Sequence, residues 1–541
     1  MSKSAENDHI MKSASLVSVG TFFGSLLGMV RQIIVARLGS DITGPFFSAL
    51  SPAQTFNDLL VNGAINGALV PTFNDYAAPE KRADFERLLF TLVNLILLIG
   101  AGAALLFLVI SPWFVTLINP TYQAFSLHIG GQMVNQETLA IHFSQIIFFS
   151  LLGLGPFAII QAALYARKEF GWPALAPMAY HLGIIMGAIL ASFLSQYYLG
   201  YYALAVGVAV GSFGEVALLI PALRKLHLRY RFIVDLKHPA LRHLLRLYAP
   251  IALSYLVSNF FVYLDLNWTN EAPGNPAANL SAMRWATQLY QFPTGLVAFA
   301  LSSAVLPTLA ECARSENTEK FKGVLLLGYR ISLLLMIPAT AGLIMLGYPI
   351  IALLFQHGSN TAMNTQLTYF ALQNYSYQLP FLAIDQLLLV AFFARKDTVK
   401  PVIVGFVSYI GYLAVAIPLR HTIGMPALAF ANTVQNALRP IMLIVLLRLA
   451  IGPLRIREMI PATAKICVAT GVMIAVIVGL EQLTSYSGLL SQHTLFSQLL
   501  AVLGIGGIAT IVYFGMVALL KVEEITIVKK AVSAKFSKNS L

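Results

Sequence analysis

Charge is what this 541-residue chain has least of: Asp, Glu, Lys and Arg together make up only 11% of it, against about a quarter in soluble domains. That scarcity argues against a protein bathed in water over most of its surface. Cysteine is nearly missing as well, with Cys312 at the end of an apolar run and Cys467 inside another. Without a CxxC pair or a Cys/His cluster at ligand spacing, neither a disulfide framework nor a zinc site is expected. No GxxxxGK[ST], HExxH or GxSxG occurs, which argues against a P-loop ATPase, a zinc protease and a serine hydrolase. No covalent chemistry and no cofactor are therefore expected. The net charge of +12 forms no contiguous basic face, because Lys and Arg gather in short connectors. Anionic membrane lipid, rather than nucleic acid, is the partner this pattern suits.

What the chain has in abundance is hydrophobic side chains, 58% of the total, arranged in runs of about 20 residues that suffice to cross a hydrocarbon layer of about 30 Å as helix. These runs lie near 14–37, 46–74, 88–118, 139–165, 172–195, 201–223, 246–268, 281–310, 323–353, 366–394, 401–419, 425–447, 462–482 and 497–520. The expected fold class is an all-α polytopic membrane protein with about fourteen transmembrane helices. The first run is too long for a signal-peptide core and reads as a retained helix behind a polar tail, 1–11.

Basic residues alternate between connectors. One set carries Lys81, Arg82 and Arg87, then Arg167 and Lys168, a cluster from Arg224 to Arg246, then Lys320 and Lys322, Arg395 with Lys400, and Arg455 with Arg457. The other set is nearly bare: Arg37 and Arg420 sit at span edges, and 119–138, 196–200, 269–280, 356–365 and 484–495 contain no Lys or Arg. Short basic loops stay cytoplasmic, so the expectation is a cytoplasmic-membrane protein with both termini in the cytoplasm.

Two motifs repeat. Ala68 to Thr72 (ALVPT) returns as Ala304 to Thr308 (AVLPT), and Ala166 to Glu169 (ARKE) with Pro173 returns as Ala394 to Asp397 (ARKD) with Pro401. The repeats imply two six-helix lobes, 12–230 and 243–452, joined by a basic linker, 231–242. Two further helices, 453–522, and a basic tail, 523–541, complete the chain. Duplicated bundles of this kind commonly hold a substrate at their interface and expose it to alternate sides.

An ionisable group deep in a span costs at least about 2.5–3.5 kcal/mol on insertion scales, so each is a functional candidate: Arg31, Asp58, Glu215, Asp265, Arg284, Arg330, Asp385 and Arg439. Arg31, Asp265 and Arg284 fall near span ends, where long cations can instead reach headgroups. Glu215 and Arg439 equally suit structural pairing with buried polar groups. His142 and His181 read as packed, hydrogen-bonded histidines. Gly20, Gly24 and Gly28 form a small-residue ridge suited to close helix packing.

Taken together, several stretches resemble the MurJ/MviN family of lipid II flippases, within the superfamily of multidrug and polysaccharide exporters: Asn62 to Pro71 (NGAINGALVP), Arg167 to Pro177 (RKEFGWPALAP), Gln291 to Gly295 (QFPTG), Phe355 to Gly358 (FQHG) and Phe393 to Thr398 (FARKDT). The resemblance implies a V-shaped pair of lobes whose central cavity binds a lipid-linked diphosphate, with helices 13 and 14 forming a groove for the polyprenyl tail. It also implies cell-wall synthesis proteins as partners. Residue by residue, the family's first-helix arginine falls on Arg31 and its seventh-helix aspartate on Asp265, a candidate for ion coupling. The acidic position before the paired phenylalanines falls on Gly44, the second-helix arginine near Asp58, and the acidic residue that follows on Asn62. The eighth-helix arginine position is Gln288, with Arg284 one turn earlier on the same face. The eleventh helix offers Ser408, Tyr409 and Tyr412 in place of an Asn/Asp pair. The candidate substrate site is thus Arg31, Arg284, Asp58, Asn62, Gln288 and Asp385. Three functions compete: a lipid II flippase, an exporter of another polyprenyl-linked glycan or of drugs by ion antiport, and a membrane scaffold that no longer transports.

Overall fold

A computed structural model of the chain describes residues 20, 23–59, 68–129, 131–315, 317–395, 397–486 and 495–522. Helices dominate. In order they are α1 (Phe23–Ala36), α2 (Ser40–Asp58), α3 (Val70–Asp75), α4 (Arg82–Ile118), α5 (Gln136–Phe148), α6 (Leu151–Ala166), α7 (Gly171–Leu175), α8 (Pro177–Phe193), α9 (Tyr202–Lys225), α10 (Pro239–Glu271), α11 (Pro276–Ala304), α12 (Leu306–Arg314), α13 (Thr318–Met345), α14 (Gly347–Phe355), α15 (Ala362–Ser376), α16 (Leu379–Ala394), α17 (Val399–Leu419), α18 (Met425–Ile451), α19 (Ile456–Tyr486), α20 (Leu495–Leu499) and α21 (Gly506–Leu519). One feature the hydropathy pattern did not foretell is a small antiparallel hairpin between α4 and α5, β1 (Ser126–Ile129) with β2 (Gln132–Asn135), in which Ser126 faces Asn135.

Among the described residues nine helices are long and apolar enough to cross a membrane, and the bent pair α15–α16 makes a tenth. The other four expected spans correspond to α1, α2, α10 and α11. Of these α10 and α11 are long, at 33 and 29 residues.

Helix ends follow local chemistry. Asn135, Asn317 and Thr361 each accept a hydrogen bond from the backbone N–H three residues on, the N-cap arrangement that satisfies one free donor of the first turn. The repeated motifs also adopt matching local structures. Pro71 and Pro307 both stand in the first turn of a short helix, where the missing N–H costs nothing. Helices α6 and α16 both end at the alanine of the ARK motif, and the N–H of Glu169 and of Asp397 returns to the carbonyl five residues back, Leu164 and Phe392, at 2.9 and 3.0 Å. Such closures satisfy carbonyls that a helix end leaves open.

The chain divides into two units, 1–281 with 357–360, and 282–356 with 361–541. In the first, α3, α4, α6 and α9 share a core that includes Phe73, Phe85, Leu88, Leu164 and Leu219. Its tightest packing is between α8 and α9. A Cβ on Gly183 would lie 2.5 Å from the Cα of Gly211, so only glycine lets these backbones meet. In the second unit α11, α12, α13, α16 and α18 surround Leu309, Leu387 and Leu443. A separate core joins α13 to α19 and α21 through Leu334, Ile466 and Tyr513. There Pro338 removes the N–H that the Leu334 carbonyl would use within α13, and the Tyr513 hydroxyl donates to that carbonyl at 2.7 Å.

Candidate functional site

In the first unit Arg31 lies on α1 against α8. Gly28, one turn earlier, has its Cβ direction 3.5 Å from the His181 ring, and Arg31 lies within electrostatic reach of both Tyr180 and His181. Its side chain is half-buried, and among the described residues no hydrogen bond or ion pair engages it. Asp58, at the end of α2, is exposed and interacts with Tyr180 on α8 and with Tyr255 on α10. Glu215 on α9 is buried, as expected of a membrane carboxyl, but its Oε2 has no hydrogen-bond partner among the described residues. Asn62 lies outside the described residues. Asp265 is half-buried, and its backbone carbonyl accepts from the Thr269 hydroxyl.

The same unit contains a polar clasp that links α2 and the start of α5 to the α10–α11 turn. The Asp41 Oδ1 accepts from Asn275 Nδ2 at 2.7 Å and from Gln136 Nε2 at 3.2 Å. Nearby, Thr43 and Ser281 share a hydrogen bond of 2.8 Å, and Asn270 Nδ2 donates to Asn119 Oδ1 at 2.6 Å. Gly44 makes this approach feasible, because any Cβ there would collide with Ala277. The position at which the family resemblance leads one to expect an acid is thus a point of backbone contact. The segment 357–360 joins in, with the Ser359 N–H donating to the Arg37 carbonyl at 2.9 Å.

In the second unit Asp385 is buried and forms an ion pair with Arg439 at 3.1 Å. The pair lies on α16 and α18. Toward the bend between α15 and α16, Asn436 Nδ2 donates to Gln378 Oε1 at 2.8 Å, and the Thr433 hydroxyl donates to the Asn374 carbonyl at 2.6 Å. At the bend of 47° α18 thus satisfies one backbone carbonyl and one side-chain amide oxygen. Arg284 and Gln288 lie one turn apart on α11, both half-buried. Between α13 and α19 lies a cleft of about 260 Å³ lined by Tyr329, Met459, Ile460, Thr463, Ala464 and Cys467.

Sequence reasoning did not single out Tyr180, Asp41, Asn275 or Gln136. Asn275 carried a usable signal, since an Asn directly before a helix-opening proline is an N-cap; its Oδ1 accepts from the Ala277 N–H at 3.0 Å. His142 behaves as a packed histidine, 2.6 Å from the Tyr202 hydroxyl, and Arg330 donates to the Glu458 carbonyl at 2.8 Å.

This architecture defines the class first: an all-α, multi-pass membrane transporter. A solved lipid II flippase MurJ in an inward closed conformation matches with a TM-score of 0.74 at 22% identity, over 94% of this chain and 99% of that one. An inward-facing multidrug MATE transporter of the MOP superfamily matches with a TM-score of 0.59 at 16% identity, over 82% and 99%. The chain belongs to the lipid II flippase MurJ family, whose profile matches residues 11–498; these are transporters rather than enzymes. Among relatives, a probable lipid II flippase MurJ of Bdellovibrio bacteriovorus is 24% identical over 526 residues, 96% of this chain and 97% of its own. The lipid II flippase MurJ of Burkholderia cenocepacia is 23% identical over 400 residues, 73% and 75%.

Proposed function

We propose that this protein carries lipid II, a lipid-linked diphosphate precursor of peptidoglycan, across the cytoplasmic membrane by alternating access. The observation that carries the reading is Arg31: a half-buried guanidinium on an apolar helix, with no carboxylate partner among the described residues. An unpaired cation in a span is costly, and a guanidinium matches phosphate oxygens in geometry as well as charge. Arg31 and Arg284 grip the diphosphate in this reading, while Asp58, Asn62 and Gln288 shape the polar cavity. Asp385 acts there through its pairing with Arg439 rather than as a free acid. Asp265 is the candidate for ion coupling.

The two six-helix lobes form the transporting core, and the final helix pair receives the polyprenyl tail. The apolar lining of the cleft between α13 and α19 suits such a tail. Both termini lie in the cytoplasm, where the basic connectors meet anionic lipid, and cell-wall synthesis proteins receive the cargo on the far side. The decisive experiment is complementation of a strain depleted of its own lipid II flippase. Growth on expression of this chain supports the reading, and lysis despite normal membrane insertion rejects it.

A further inference from the structure

We propose that Glu215 is a proton-binding site inside the first unit. The inference deepens the transport reading and rests on it for its purpose, since nothing in the sequence supplies ATP chemistry. Its physical basis is independent of cargo.

The placement comes from the glycine seam. Gly211 meets the backbone of α8 at Tyr180, and Gly214 has its Cβ direction 3.2 Å from the Ala179 methyl. Glu215 is one turn beyond Gly211 on the same face, so its side chain enters the packed α8–α9 boundary. It lies ten residues before Lys225, the end of α9, which is about 15 Å along a helix and half of a hydrocarbon layer of about 30 Å. There the Oε2 is buried with no donor. A buried polar atom left bare in this way is costly, and a proton on the carboxyl removes the uncompensated charge.

A metal cation is the poorer occupant. Such ions need several oxygen ligands, whereas among the described residues no three His, Cys, Asp or Glu side chains gather at a common point. Arg31, close to Tyr180 and His181, repels a second positive ion.

Tyr180 feels the charge of both Glu215 and the exposed Asp58. From α8 come Tyr180 and His181, whose Nδ1 is buried without a partner, from α1 Arg31, and from α2 Asp58. Helix α6 carries only Tyr165, which accepts from Gln161 at 3.3 Å; α5 carries His142, bonded to Tyr202, and Glu137, which accepts from Thr116 and Gln123; α7 carries no titratable group.

The test has two readouts on the purified full chain in vesicles. Infrared difference spectra between acid and alkaline buffer should contain a protonated-carboxyl band that disappears in Glu215→Gln and persists, shifted, in Glu215→Asp and unshifted in Asp385→Asn. A band unaffected by Glu215→Gln overturns the proposal. Second, an imposed pH gradient should speed movement of lipid II at least about tenfold in the natural chain and not in Glu215→Gln, while a sodium gradient of equal size has no effect. Gradient-driven movement that survives Glu215→Gln also overturns it. If the band is lost in Glu215→Gln but no lipid II moves in any variant, the proton site stands and the cargo assignment falls.

Discussion

The Tyr513 hydroxyl donates to the carbonyl of Leu334, 179 positions earlier, at 2.7 Å. Pro338 sits four residues after Leu334 in α13, so this side chain replaces the donor that proline removed. Tyr513→Phe should lower stability by about 1–3 kcal/mol, the cost of a bare buried acceptor. Pro338→Ala restores the helix's own N–H and should make Tyr513→Phe nearly neutral. Thermal unfolding of the four members of this cycle in detergent measures the difference, and equal effects of Tyr513→Phe in both backgrounds would reject the account.

The ion pair of Asp385 and Arg439 gives a second expectation. Removing one partner strands the other in an apolar interior, which costs about 3–5 kcal/mol in fully buried pairs. Because the Arg439 side chain keeps 28% of its exposure, Asp385→Ala should fall at the low end of that range. Asp385→Leu combined with Arg439→Met should recover most of the loss. Midpoints of denaturation provide the comparison; a double variant as unstable as the single one would contradict it.

Glycine positions separate by what surrounds them. Gly183→Ala forces a methyl into the backbone of α9 and should cost at least about 1–3 kcal/mol or prevent folding. Gly24→Ala meets nothing within 4 Å and should be neutral or stabilising by up to about 1 kcal/mol. Yield of monodisperse protein and melting temperature report both.

Arg31 and Arg284 carry the binding prediction. Alanine at both should abolish precursor export while insertion and melting temperature remain close to those of the natural chain. Export unchanged in the double variant, measured by accessibility of newly made precursor at the outer face, removes these residues from the site.

Just before α17, Asp397 Oδ2 accepts from Lys400 Nζ in the first turn of that helix at 2.7 Å. This hydrogen bond, together with the nearby positive charge, holds the Asp397 carboxyl below its usual value. A depressed carboxyl contributes stability that is present above its unfolded value of about 3.9 and is lost as pH falls through the lower folded value. The expected difference in melting temperature between the natural chain and Lys400→Ala is therefore small at pH 7, as for exposed pairs, and vanishes in strong acid. A difference that grows on acidification would run against the sign.

Much of the fold was legible in the sequence because hydrocarbon leaves few options: apolar runs separated by basic connectors could only be helices. The repeated ALVPT and ARK motifs pointed to paired helix starts and stops, and Pro71, Pro307, Ala166 and Ala394 occupy them. What escaped was contact information. Nothing in the run from Pro177 to Phe193 distinguishes Tyr180 from other aromatics until α9 is packed beside it. The span-end position of Arg31 suggested headgroups, and the α1–α8 packing that puts Gly28 on His181 brings Arg31 within electrostatic reach of Tyr180. Asp41 looked like an ordinary acid in a first helical turn, and its two amide partners lie 95 and 234 positions away.

The clasp around Asp41 is built from amides and hydroxyls with a single carboxylate. Fasteners made of opposed full charges loosen in brine, whereas this one has little net Coulomb attraction for dissolved ions to screen. Its holding strength should therefore be nearly the same in dilute and concentrated electrolyte.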